Sequence, residues 1–227
     1  MNKLDTKVSK TLADFAYQKI RRDIIRGELG ASEKLRLNVL CQKYDIGMSP
    51  LREALARLIG DALVITEGQR GFWVAPLSLD EMIDITYVRS LLETEALQLS
   101  IENGDDAWRE RLKQSYDALS SIESKLDGRH RDLVPEWEEA NRTFHETMVS
   151  CCGSPWMIRM LQTLYQQSER YRRISIVNVQ SERSVHDEHE AIYEAVMQGN
   201  VLKACKLTEL HLRRTTDAVK KTLSLNT

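Results

Sequence analysis

Two regimes of apolar spacing divide the chain. In the first, apolar positions form two short helical stripes: Val39, Leu40 and Tyr44 after Asn38, then Leu51, Leu55, Leu58 and Ala62 after Ser49-Pro50. Asp45-Ile46-Gly47 breaks the pattern between them, and two short helices around a glycine-containing turn predict a helix-turn-helix. Ser49 reads as the N-cap of the second helix, because its hydroxyl can accept an orphan backbone N–H, and Pro50 reads as the first helical residue. Two β-prone runs follow, 63–66 and 72–74, joined by Glu67-Gly68-Gln69-Arg70-Gly71. This pattern predicts a hairpin, a small wing with Arg70 near its tip.

In the second regime the stripes lengthen and glycines become sparse. Pro76 favours an extended backbone, so the expected boundary separates residues 1–76 from residues 77–227. Helices are expected at 79–102, 105–126, 134–151, 155–179, 182–198 and 201–222, with Gly128, Gly153-Ser154-Pro155 and Gly199-Asn200 as stops. The predicted fold is mainly α: an N-terminal winged helix-turn-helix with a small β-hairpin wing, followed by an antiparallel all-helical bundle.

Polar residues interrupt the inward stripes of that bundle. On helix 134–151 the stripe reads Trp137, Ala140 with Asn141, Phe144 with His145, and Met148; on 182–198 it reads Val185, His189, Ile192 and Val196. On 201–222 it reads Ala204, Thr208, His211, Thr215 and Ala218. Any one of these histidines reads first as a core imidazole satisfied by a hydrogen bond. Taken jointly, an asparagine and three imidazoles in one core are costly to bury without a shared purpose, and a divalent transition metal, zinc or nickel, supplies one. His186 falls on a neighbouring face and His130 in a loop. Arg89 shares a stripe with Ile85, Leu92 and Ala96, which leaves two readings: a structural pair with a carboxylate such as Glu93, or a ligand-holding cation.

Composition narrows the classes. A length of 227 residues suits one sizeable domain or two smaller ones. No apolar run approaches the roughly 18 to 20 residues of a membrane helix, and Met-Asn-Lys-Leu-Asp-Thr-Lys lacks an apolar signal core, so a soluble cytoplasmic protein with no membrane partner is expected. The net charge of -2 conceals an asymmetry: residues 1–76 hold 13 Lys/Arg against 9 Asp/Glu, a balance of +4, leaving -6 for the rest. A basic head suits phosphate contact. Cys41, Cys151, Cys152 and Cys205 show no C-x-x-C spacing and read as reduced thiols in apolar positions.

The motifs carry a specific resemblance. Lys34-Leu35-Arg36, then Ser49-Pro50-Leu51-Arg52-Glu53-Ala54-Leu55-Ala56-Arg57-Leu58, then Arg70-Gly71-Phe72-Trp73-Val74 resemble the winged-helix signature of the GntR superfamily of bacterial transcription regulators. Tyr17, Ile20, Ile24, Gly27 and Leu29 match its leading helix. The chain departs from the usual Ser-Arg before the second helix, where it has Gly47-Met48, so a common base contact is missing. The N-terminal residues of the second helix of a helix-turn-helix read base edges, which makes Arg52 the leading base contact. The resemblance adds Arg36, Asn38, Ser49, Gln69 and Arg70 as DNA contacts, Arg70 to phosphate or the minor groove.

Residues 79–222, through Tyr87-Val88-Arg89-Ser90-Leu91-Leu92-Glu93, Asn141-Arg142-Thr143-Phe144-His145, Glu188-His189 and His211, resemble the FCD effector domain of the FadR subfamily. The resemblance implies a metal held by Asn141, His145, His189 and His211, with a neutral Asn where Asp is common. It also implies that Arg89 helps to hold an effector carboxylate.

The expected function is a metabolite-responsive transcription regulator, a repressor, working as a homodimer on a palindromic double-stranded DNA operator. Similarity to the CsiR group points to small organic-acid catabolism and a small carboxylate effector. The competing class is a metal-dependent hydrolase or isomerase, since three histidines and an open coordination position can activate water. Against it, the chain has no H-E-x-x-H, P-loop or nucleophile elbow. A third reading, an architectural DNA binder with a purely dimerising bundle, leaves the inward Arg89 and histidines without a purpose.

Overall fold

The computed structural model describes residues 11–68, 70–126, 131–177 and 183–224. Gln69, Gly128 and His130, and the expected helix ends at 178–179 and 182, lie outside the described residues. The chain separates into two compact units, Met1–Ser78 and Leu79–Thr227.

The first unit contains α1 (Leu12–Ile25), β1 (Lys34–Leu35), α2 (Leu37–Tyr44), α3 (Met48–Gly60), β2 (Val64–Thr66) and β3 (Phe72–Val74). Thr11 caps α1 by accepting from the Asp14 N–H. Ile20, Ile24, Leu40, Leu51, Leu55 and Leu58 form the core of this unit with Leu63 and Val74. A solvent-side clasp ties α1 to α3: Arg57 bonds Asp14 at 2.7 Å and lies 4.2 Å from the Tyr17 ring centroid, while the Tyr17 hydroxyl donates to Asp61 at 2.6 Å.

Three local expectations need correction. The wing is a three-stranded antiparallel sheet of order β1-β3-β2, because Lys34 and Leu35 pair with Trp73 and Phe72 beside the expected hairpin. α3 starts at Met48 with Gly47 as N-cap and no side-chain cap bond, so Ser49, expected as the N-cap, and Pro50, expected as the first helical residue, are its second and third residues. α3 also stops at Gly60: Ala62 is exposed with a φ of +56°, and Ala54 takes its place in the stripe. In the turn before α3 the left-handed residue is Asp45, at φ +52°, while Gly47 has an ordinary extended backbone.

The second unit contains α4 (Leu79–Asn103), α5 (Asp106–Glu123), a 3-10 turn (Arg131–Leu133), α6 (Val134–Met148), α7 (Pro155–Val177), α8 (Val185–Met197) and α9 (Val201–Ser224). Its core is built on Trp108, Leu112, Leu119, Phe144, Leu161, Ile192 and Val196. The α4–α5 connection requires glycine, since a Cβ on Gly104 would stand 2.1 Å from the Trp108 ring and 2.7 Å from the Ser100 carbonyl. Asp105 then caps α5 through the Trp108 N–H. That close approach seats Trp108 with its indole N–H on the Thr147 carbonyl at 2.8 Å, which fixes α5 against α6. No described helix is long and apolar enough to cross a membrane.

Candidate functional site

In the first unit, Arg36 is the N-cap of α2 and Asn38 its second residue, Ser49 lies in the first turn of α3 and Arg52 at the start of its second, and Arg70 lies in the β2–β3 turn. All five are exposed. Ser49, which does not cap, lies with Arg52 on the exposed side of α3. Gln69 lies outside the described residues. The buried anchor behind α2 is Asp23, which accepts from the Tyr44 hydroxyl at 2.7 Å and pairs with Lys43 at 2.8 Å. Burial opposes its ionisation, but these two partners hold its carboxyl below the usual range.

In the second unit the three inward histidines come together. His145 of α6, His189 of α8 and His211 of α9 are all buried, with ring centroids 4.7 to 5.6 Å apart. One nitrogen from each lies within 4.8 Å of the others. Asn141 is buried one turn before His145 on the same face of α6.

Each imidazole leans on a carboxylate. His145 Nδ1 is 2.7 Å from Glu93 of α4, His189 Nδ1 is 2.7 Å from Glu123 at the end of α5, and His211 Nδ1 is 2.9 Å from Glu188 of α8. A neutral imidazole donating Nδ1–H to an ionised carboxylate must present its Nε2 lone pair on the other side. The Nε2 atoms of His145 and His189 are indeed buried with no hydrogen-bond partner among the described residues. Carboxylate–histidine units of this kind orient metal-binding imidazoles and raise their basicity.

The titration directions agree with that assignment. Burial lowers His145 to about 4 and His211 well below its ordinary value, so both stay neutral near neutrality. Glu93 is held at about 2, because Arg89 and His145 outweigh the burial that opposes its charge. Glu123 and Glu188 are lowered too: burial opposes this, while His189 outweighs it for Glu123, and Arg183 with His211 for Glu188.

Arg89 forms the structural pair with Glu93. Its Nε donates to Glu93 Oε2 at 2.7 Å, and its guanidinium carbon lies 4.6 Å from the centroid of the buried Tyr165 ring. Glu93 therefore bridges Arg89 and His145. On the far side Glu188 is gripped by Arg183 at 2.8 and 2.5 Å and by Arg214 at 3.1 Å, and Arg183 also reaches the His211 carbonyl.

Sequence reasoning missed much of this support. Glu93 entered only as a partner for Arg89, although its i+4 spacing on the inward stripe was available as a signal. Glu188 does leave the face that His189 occupies, as expected, but it crosses to His211 on α9. Glu123 carried no signal: its role depends on where α5 ends beside α8. His186, half exposed, points Nδ1 at Glu123 from 3.3 Å, consistent with a supporting position. Glu138 joins the buried face of α6, where Ala140 packs partly buried against the core, and is chelated by Arg172 of α7.

A helix-turn-helix with a wing, in one chain with a helical bundle that gathers polar side chains inside, defines a winged-helix transcription regulator with a helical companion domain. The chain belongs to the gntR family of bacterial regulatory proteins, with an FCD domain: the family's description matches residues 12–74 and that of the FCD domain matches residues 84–214. The chain is 37% identical over 212 residues to the HTH-type transcriptional regulator BphR of Paraburkholderia xenovorans, covering 93% of this chain and 86% of the relative. It is 32% identical over 200 residues to the HTH-type transcriptional repressor GlaR of Escherichia coli, covering 86% and 90%. The solved structure of E. coli McbR/YncC shares the fold with a TM-score of 0.75 at 15% identity, over 93% of this chain and 98% of that one. The family and these relatives are transcription regulators and not enzymes, which sets aside the hydrolase or isomerase reading.

Proposed function

We propose that the protein is a homodimeric repressor that reads a palindromic operator with residues 1–76 and senses a small carboxylate of organic-acid catabolism with residues 77–227. The observation that carries the sensing half is the set of three buried imidazoles, each held by a carboxylate, with two Nε2 atoms that have no partner among the described residues. His145, His189 and His211, with Asn141 as an oxygen donor, would hold a divalent transition metal, zinc or nickel. When bound, that ion supplies a Lewis-acidic anchor for a carboxylate oxygen.

Arg89 is the residue of this chain that would pair with the acid. Its Nε is committed to Glu93, which aims the planar fork, and the Tyr165 face supports it. On the DNA side, Arg52 would read a base edge, Arg36, Asn38, Ser49 and Gln69 would help to position the reader, and Arg70 would meet phosphate or the minor groove.

Dimerisation has a physical rationale in α4. Its inner face is buried through Met82, Ile85, Ala96 and Leu97, yet Ile83, Tyr87, Val88 and Leu91 stand exposed on its outer side. An apolar stripe on the back of an already buried helix is the surface a second copy would cover. Acid binding biases one arrangement of the dimer, and operator affinity changes only by the acid's differential affinity for the two arrangements.

The test is an operator selected from random DNA, titrated with zinc- or nickel-loaded protein in the presence of small carboxylates. Wild type should change its operator affinity with at least one acid. Arg89→Met should keep metal content and operator binding but lose that change, because methionine fills the space of the stem without the charged fork. An undiminished acid response in Arg89→Met sinks the proposal, as does indifference of the wild type to every acid tried.

A further inference from the structure

Among the exposed large apolar residues of the first unit, one stands at the end of the helix that should read DNA. Met48 is the first residue of α3 and is 47% exposed. It lies one turn before Arg52 on the same side of the helix, with Ser49 exposed beside it. Leu51, Leu55 and Leu58 fill the core from this helix and are fully buried, so the packing of α3 leaves Met48 out.

Gly47, immediately before it, has no folding reason to be glycine. Its backbone is extended, with φ -76° and ψ 165°, and a Cβ there would meet nothing nearer than Pro50 Cδ at 3.8 Å, an ordinary contact. A serine or aspartate at 47 would fit and could cap α3, whose N-terminus has no side-chain cap bond. The chain instead leaves the approach to Met48 bare. The result is a smooth, uncharged tip next to the polar Ser49 and Arg52.

The first residues of the second helix of a helix-turn-helix reach base edges in the major groove. What a residue there can recognise follows from its chemistry. The base edges in that groove present hydrogen-bonding groups and one apolar feature, the methyl of thymine. A thioether has no charge and no N–H to pair with guanine, and against a G·C pair it would strip water from polar groups without replacing their hydrogen bonds. Against a methyl it loses nothing, and its unbranched, polarisable chain adapts to the contact.

We propose that Met48 reads a thymine methyl, fixing a T·A pair next to the base read by Arg52, with Gly47 giving the clearance. This rests on the proposed base-reading role of α3 and deepens it. Arg52 reads through hydrogen bonds, whereas Met48 discriminates by leaving the polar edge of a wrong base pair unsatisfied. An arginine at 48 would take guanine at the same place.

The experiment selects operators from random DNA with the full-length protein, as wild type, Met48→Ala, Met48→Arg and Arg52→Ala. Each thymine of the wild-type operator is then replaced in turn by deoxyuridine, which removes the methyl and nothing else. At one thymine per half-site, wild-type affinity should fall about three- to fivefold, the worth of one buried methyl group. Met48→Ala should be nearly indifferent to that replacement while melting at the wild-type temperature, because the side chain lies outside the core. Met48→Arg should select G·C in place of T·A at that position.

Tolerance of deoxyuridine at every thymine overturns the inference. So does a methyl effect that Met48→Ala retains in full, since the methyl is then read by another residue or through DNA shape. An unchanged base preference in Met48→Arg overturns it too. In each of these cases a loss of sequence preference in Arg52→Ala leaves the base-reading role of α3 standing. If Arg52→Ala and both Met48 variants select the wild-type operator with wild-type affinity, or if wild type enriches no sequence, the role of α3 and the inference fall together.

Discussion

Glu93→Gln separates a metal-ready site from three histidines that merely pack. Glu93 is fully buried and divides its oxygens, Oε1 to His145 Nδ1 and Oε2 to Arg89 Nε, each at 2.7 Å. Glutamine keeps the shape but offers one acceptor where two donors need one each. Its amide oxygen can serve His145, which then faces the NH2 group to the Arg89 N–H, or the reverse. Either way a buried charge loses its counter-ion.

Breaking a buried ion pair from one side costs about 3 to 5 kcal/mol. Tyr165 stacked on Arg89 returns only about 1 kcal/mol. With Nδ1 no longer locked, His145 loses its tautomer preference, which should weaken zinc binding by about 10- to 100-fold. Urea denaturation of metal-free protein, followed by fluorescence of Trp108 and Trp137 in the helical unit, measures the first effect. Chelator competition measures the second.

Adding Arg89→Met to Glu93→Gln should restore part of the stability, because the orphaned charge goes, but none of the zinc affinity. A Glu93→Gln protein with the stability and zinc affinity of wild type refutes the bridging role. Full recovery of zinc affinity in the double variant would show that Glu93 acts only through Arg89.

Other outcomes follow from the same geometry. Arg52→Ala should lose about 1 to 3 kcal/mol per half-site of sequence-specific binding with folding intact, whereas Arg70→Ala should weaken all DNA alike; an unchanged ratio of selected to random DNA in the first variant would contradict the base-reading role. Purified wild type should carry about one transition metal per chain and His189→Ala much less, by elemental analysis; equal contents return the histidines to packing roles. The metal-free protein should lose stability as pH falls from about 6.5 towards 4, because burial lowers His145 to about 4 and the neutral ring must charge in the unfolded chain first. That contribution is complete above the unfolded value, amounts to about 3 kcal/mol, and shares its direction with His211. Glu93, held at about 2, remains ionised through this window and adds its own loss only below about pH 4.5. Denaturation midpoints that stay flat between about pH 7 and pH 5 would refute the buried neutral assignment.

What was legible in the sequence was local or periodic. Leu51, Leu55 and Leu58 share one face of α3, and His145, His189 and His211 point inward, because burial imposes a period that the sequence repeats. Element starts were less legible. Ser49-Pro50 is a strong cap signal, but Met48 continues the helix backwards and Gly47 serves as N-cap without a side-chain bond. Long-range support was illegible: Glu123 reaches His189 across 66 residues, and Glu188 reaches His211 across 23, distances at which side-chain reach depends on how the helices stack. Lys34-Leu35 is too short to carry a strand period, so its pairing with β3 could be seen only in three dimensions.

The charges around the histidines bear on why metal and acid should act together. Glu188 is answered by Arg183 and Arg214 and is locally neutralised. Beside the histidines, Arg89 pairs with Glu93, and Glu123 is supported by the Trp137 indole N–H at 3.0 Å and by the His189 ring. Three cations against three anions leave no net charge to draw in a further carboxylate. A divalent ion held by the imidazoles and an amide would add two positive charges to that balance. Under the proposed reading, an anionic head group offsets part of that excess, with Arg89 fixed in place by the carboxylate that also orients His145. Chelation then abolishes the acid response by removing the positive excess as well as an anchor, so raising the acid concentration should recover little of it.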